Sequence, residues 1–167
     1  MTVYEELFPF VWRLVRRFGV PDAALDDVCQ EVFVVVHNRL VEFEGRSSLK
    51  TWVYGIANNV TLTYLRGARR KAVHHSAVDP ETVVDSAPGP LDAASASEAV
   101  GIAYSLLAQL ADDKRTILVL VDVEELTVPE AAEVLDVNVN TAYARLRAAR
   151  SELAAAVARF QARSRRP

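Results

Sequence analysis

Cysteine is nearly absent from this sequence: Cys29 is the only one in 167 residues, so no internal disulfide can form. Its neighbours Val28, Val32, Phe33 and Val36 point to a small apolar core residue and not to a nucleophile. No apolar run approaches the ~20 residues of a membrane span, so membrane insertion is not expected. The opening "MTVYEELFPFVWRLVRR" places acids before any base and has no small-residue cleavage site, so no signal peptide is expected. A reducing, cytoplasmic setting follows. Also missing are a Ser/His/Asp set, a glycine-rich phosphate loop and metal-ligand spacing. His74 and His75 are adjacent and have no third ligand nearby. Asp26 and Asp27 are neighbours, and neighbouring positions on a helix do not face each other, which argues against paired acid–base work. The reading is a protein that is not an enzyme, with no metal and no cofactor.

What is present is a soluble composition, 51% hydrophobic and 25% charged, whose net charge of −3 hides a segregation. Residues 66–75 hold Arg66, Arg69, Arg70 and Lys71 with no acid, and residues 138–167 hold seven Arg against Glu152 alone. Between them, residues 76–100 carry five acids and no base. Screening limits electrostatics to about 8–10 Å, so local clusters decide contact with phosphates. Two basic zones raise the expectation of nucleic-acid binding in two places.

Strand signals are weak and no internal repeat is visible. The apolar positions separate on a helical wheel, predicting helices over 3–18, 23–41, 48–70, 92–110, 113–124, 128–135 and 139–161. Gly19 and Pro21 divide the first two, and Ser47 or Ser48 can cap the third. The stretch "HHSAVDPETVVDSAPGPLDAASAS" has no aromatic residue and is rich in Ala, Ser, Pro and Asp. It buries too little to offset its ordering entropy. The expected fold is all-α. A helical domain over 1–71 and a second over 92–161 are joined by a flexible acidic linker over 72–91, and a basic tail follows over 162–167.

"LTVPEAAEVLD" is a short helix with a Thr127/Glu130 capping box and Pro129 in its first turn, facing inward through Ala131, Val134 and Leu135. A tight turn and a basic helix follow. In that helix Ala142, Leu146, Ala149, Leu153 and Ala156 fall on one stripe, with Asn140, Tyr143, Arg147, Arg150 and Ser151 beside or opposite it. This is a helix-turn-helix pattern, whose second helix enters the major groove. Taken alone it leaves a helical hairpin with a solvated basic face as the alternative.

The first half narrows the choice. The D-x-x-Q-E-x-F helix, the Gly/Arg/Ser loop and "KTWVYGIANNV" with its basic end resemble region 2 of sigma-70 family transcription initiation factors. "LTVPEAAEVLDVNVNTAYARLRAARSEL" resembles region 4 of the same family. With only these two regions present, the chain resembles the extracytoplasmic-function (ECF) group. The resemblance implies a factor that binds core RNA polymerase, through the β′ clamp helices and the β flap. It also implies promoter DNA and an anti-sigma factor as partners. Asp26, Asp27, Gln30 and Glu31 correspond to the clamp-docking face. Gly45, Arg46, Ser47, Ser48, Lys50, Tyr54, Asn58, Asn59, Arg66, Arg69 and Arg70 correspond to the surface that captures the −10 element and parts its strands. Unstacked bases stack on aromatics while cations track the backbone. Trp52 and Ile56, four residues apart, are both expected in the core. Asn140, Thr141, Tyr143, Ala144, Arg145, Arg147 and Arg150 correspond to the −35 reader.

The chain also departs from the family pattern. Gly55 and Asn58 stand where Arg or Lys is usual, and Tyr143 and Ala144 where Lys/Arg and Ser are common. Asp136 and Asn140 replace frequent glycines, but both residue types tolerate left-handed geometry. The alternative is a stand-alone helix-turn-helix regulator with an N-terminal sensing or dimerisation domain, which would bind duplex DNA tightly without polymerase.

Overall fold

The computed structural model describes residues 3–75 and 94–164, and every regular element among them is helical. Helices α1 (Val3–Arg17), α2 (Leu25–Arg39) and α3 (Leu49–His75) form the N-terminal unit. Helices α4 (Ala94–Leu107), α5 (Asp112–Leu118), α6 (Val128–Val134) and α7 (Val139–Ser164) form the C-terminal unit. Short 3-10 turns flank α2. The expected linker over 72–91 falls mainly on residues outside the described set, as do the His74 and His75 side chains and the end of the basic tail.

The helices form where the apolar stripes run. Val11, Leu14, Val15 and Phe18 are buried one turn apart, and so are Leu25, Val28, Cys29, Val32, Phe33 and Val36 on α2. On α3, Val53, Tyr54, Ile56, Ala57 and Val60 close this core. Cys29 is fully buried there, and burial, with Asp26 nearby, pushes its thiol up to about 11, so it stays protonated and inert. In the C-terminal unit Ala142, Leu146, Ala149 and Ala156 are buried as the wheel predicts, with Leu153 half-buried. The small residues let α7 lie close against α5 and α6. On α6 the buried pair is Ala131 and Ala132, while Val134 and Leu135 are only half-buried.

Local chemistry sets the ends. Ser48 caps α3, its Oγ accepting from the Thr51 amide at 3.0 Å. Helix α3 continues to His75, past the expected end, because no Gly or Pro follows Gly67 until Pro80. The Thr127/Glu130 capping box forms in both directions, at 3.4 and 2.8 Å. Thr127→Ala is expected to cost about 1 kcal/mol, lowering Tm by about 2–4 °C in a thermal melt. Asp136 takes φ +51 and carries the turn into α7. Asn140 does not share that role: it lies in the first helical turn, and Asn138 Oδ1 accepts its amide at 2.8 Å.

Two features exceed the sequence reading. The β-branched run after α5 widens into one π-turn over Val119–Val123, closed by Glu124 N–H donating to the Val119 carbonyl at 2.9 Å. The buried cluster is also continuous across both units, from Val11 and Phe18 through Val53 to Leu120, Ala131 and Leu146. The two halves therefore pack directly on one another.

Candidate nucleic-acid and polymerase interface

The loop between α2 and α3 builds a cleft of about 250 Å3, lined by Glu42, Phe43, Glu44, Arg46, Ser47 and Trp52. The Phe43 and Trp52 rings lie 5.3 Å apart and tilted by 48°. Gly45 takes φ +69 at the loop tip, with open space around it. Arg46 is 83% exposed and pairs with Glu44. An aromatic pair, the Ser47 hydroxyl and the Arg46 cation, beside two carboxylates, line an open cleft on which an unstacked base can stack. The core expectation holds for Ile56, but Trp52 is only half-buried and lines the cleft. Phe43 was missed. Its signal was an apolar residue between two glutamates in a loop.

The rest of the −10 set divides. Arg66, Arg70 and Asn59 are exposed along α3, and Arg69 pairs with Asp112. Lys50 stands 5.0 Å from the Phe10 ring centre and 5.8 Å from that of Tyr54. Tyr54 and Asn58, expected at the surface, are buried to 1% and 3% exposure. With Thr61 they occupy the α3 stripe that faces the other helices, at i, i+4 and i+7. Tyr54 donates to Glu124 at 2.8 Å. Burial, then that bond, pushes its pKa up, so the phenol remains a donor. Asn58 Oδ1 has no hydrogen-bond partner among the described residues.

Asp26, Asp27, Gln30 and Glu31 are all exposed on α2, with Val34 beside them. None of the three carboxylates forms an ion pair among the described residues. An acidic face without an ion pair among the described residues is available to a basic surface.

On α7, Asn140, Thr141, Tyr143, Ala144 and Arg147 are exposed. Arg145 turns back to Asp113 at 3.4 Å, and Arg150 is held by both oxygens of Asp122, at 3.0 and 2.5 Å. These acids were not anticipated. Asp112, Asp113, Asp122 and Glu124 sit on α5 and its π-turn, and each holds a cation. Asp122 and Glu124 lie two residues apart, so they point to opposite sides. One reaches α7, and the other reaches Arg17 of α1 and Tyr54 of α3.

The family models for Sigma-70 region 2 and Sigma-70, region 4 match residues 3–71 and 101–153. The chain is 30% identical over 146 residues to RNA polymerase sigma factor CnrH of Cupriavidus metallidurans, covering 84% of this chain and 76% of the relative. The chain belongs to the ECF group of the sigma-70 family. It is also 29% identical over 137 residues to ECF RNA polymerase sigma factor SigX of Bacillus subtilis, covering 80% and 69% of the two chains. Two solved structures share the fold. Sigma factor RpoE with anti-sigma factor NepR, from Bartonella quintana, gives a TM-score of 0.73 at 20% identity, over 92% of this chain and 93% of that one. CnrH with the cytosolic domain of CnrY gives 0.67 at 22% identity, over 93% and 84%. This sigma factor thus contains both promoter-facing regions of its family, and none of its described helices is long and apolar enough to cross a membrane.

Proposed function

We propose that this sigma factor docks core RNA polymerase through the α2 face of Asp26, Asp27, Gln30 and Glu31 and admits a flipped −10 base to the Phe43–Trp52 cleft. Arg46, Lys50, Arg66 and Arg70 track the phosphates, and α7 reads the −35 element in the major groove. The β flap is a further polymerase contact of the C-terminal unit. Both family regions, at 3–71 and 101–153, favour this reading over a stand-alone regulator, and the open cleft with Phe43 and Trp52 in its lining offers an unstacked base an aromatic surface that a binder of intact duplex does not need. The chain itself does no covalent chemistry: it positions polymerase, which works in the cytoplasm. RpoE was captured with the anti-sigma factor NepR and CnrH with the cytosolic domain of CnrY, and an anti-sigma factor is proposed as a partner here.

The element names place their centres roughly 25 base pairs apart, about 85 Å of B-DNA. The two units touch, and a compact chain of this length has a radius of gyration of about 15 Å. The described arrangement is therefore a closed form, and engaging both elements requires the units to separate.

The test is a core-polymerase binding assay with wild type and Asp27→Ala/Glu31→Ala, followed by transcription from a promoter library. Tight binding that falls at least tenfold in the double variant, with promoter-specific transcripts from wild type, is the expected result. No binding to core, with tight binding to duplex alone, would overturn the reading and favour the helix-turn-helix regulator.

A further inference from the structure

We propose that this factor selects thymine in its −35 element, read through the C5 methyl group by Val139 together with Tyr143. The proposal rests on α7 being the −35 reader. Val139 is the first residue of α7 and is 38% exposed, and Tyr143, one turn on, is 50% exposed. At i and i+4 the two side chains are neighbours on the helix surface. They form an apolar and aromatic step at the end of the helix that enters the groove first.

Two of the arginines on this helix are withdrawn, while Asn140 and Thr141 remain exposed beside the step. Arg145 is turned to Asp113 and Arg150 is clamped by Asp122. Arg147, exposed and without an ion pair among the described residues, continues the stripe and is free to reach guanine. Val139 has no polar side-chain atom, so it cannot read a donor or an acceptor. In the major groove the one apolar group on a base edge is the thymine methyl. The Tyr143 ring edge offers the same partner a second surface, while its hydroxyl reaches a phosphate or a base acceptor. The position where the family commonly has a cation is thus read here by carbon.

The experiment uses the holoenzyme reconstituted with the full chain. A library randomised across the −35 element is selected for binding, and each thymine recovered is then replaced by deoxyuridine, which removes only the methyl. The expected result is a thymine at one or two adjacent positions, with deoxyuridine weakening binding about fourfold per methyl. Val139→Ala should abolish the deoxyuridine effect at one of those positions and leave core binding and −10 selection unchanged. Selected thymines that tolerate deoxyuridine in the wild type would overturn the inference, while leaving α7 as the −35 reader. So would a deoxyuridine effect that persists in both Val139→Ala and Tyr143→Ala. If no −35 preference is selected at all, the assignment of α7 itself fails, and this inference falls with it.

Discussion

Glu124→Ala should open the protein. Its carboxylate is 7% exposed and joins the two units at one point, accepting from Arg17 of α1 and from the Tyr54 hydroxyl of α3. Removing it leaves a buried phenol and a partly shielded guanidinium without a partner. A stranded hydroxyl costs about 1–3 kcal/mol, and Arg17, at 27% exposure, recovers part of its loss from water. A net loss of about 2 kcal/mol shifts the closed-to-open ratio roughly thirtyfold. Small-angle scattering should then give a radius of gyration above the ~15 Å of the compact chain, with helix content retained. Because only the open form spans both promoter elements, apparent holoenzyme affinity for a full promoter should rise as the open fraction rises. Tyr54→Phe keeps the ring and loses one bond, so it should move both readouts the same way by less. An unchanged radius and unchanged affinity would show that this carboxylate does not hold the units together. Loss of helix content would make it part of the core and not a latch.

The helices were legible because their stripes repeat at the period of the helix. Residues from Val11 to Phe18 and from Ala142 to Ala156 are buried at the spacing the wheel marks. The Thr127 cap, the Ser48 cap and the left-handed Asp136 were legible because each is a bond or torsion within a few residues. The acidic α2 face was legible as the polar half of an amphipathic helix. Tyr54 and Asn58 were misplaced for the converse reason. A wheel shows that α3 has a polar sector but not that another unit covers it, and Tyr54 meets Glu124 seventy residues away. The four acids of α5 and its π-turn drew no assignment from the sequence. Only tertiary packing sets each one against a cation. Phe43 was passed over for a similar reason: its apolar side chain between two glutamates gains a role only when α3 brings Trp52 beside it.

Gly19→Ala is expected to be among the most destabilising single-methyl additions in the chain. Gly19 closes α1 with φ +101, its amide donating to Arg16 and that of Val20 to Val15. An L side chain is strained there by about 1–3 kcal/mol. A Cβ would also stand 2.6 Å from the Arg115 guanidinium carbon. An arginine tip usually swings away, but this residue is 5% exposed and tied to Asp112. Together the two effects predict a loss of about 3 kcal/mol, or a Tm about 6–12 °C lower. Gly67→Ala is the control: it lies inside α3 with nothing within 4 Å of an added Cβ, so it should gain about 0.5–1 kcal/mol. Arg115 belongs to α5 and Gly19 to the end of α1, so the clash exists only while the units touch. In an Arg115→Met background the Gly19→Ala penalty should shrink by at least about 1 kcal/mol, a coupling that distant sites do not show. Additive losses would mean that α5 does not rest on the α1 turn in solution, and would remove the closed form on which the Glu124 experiment depends.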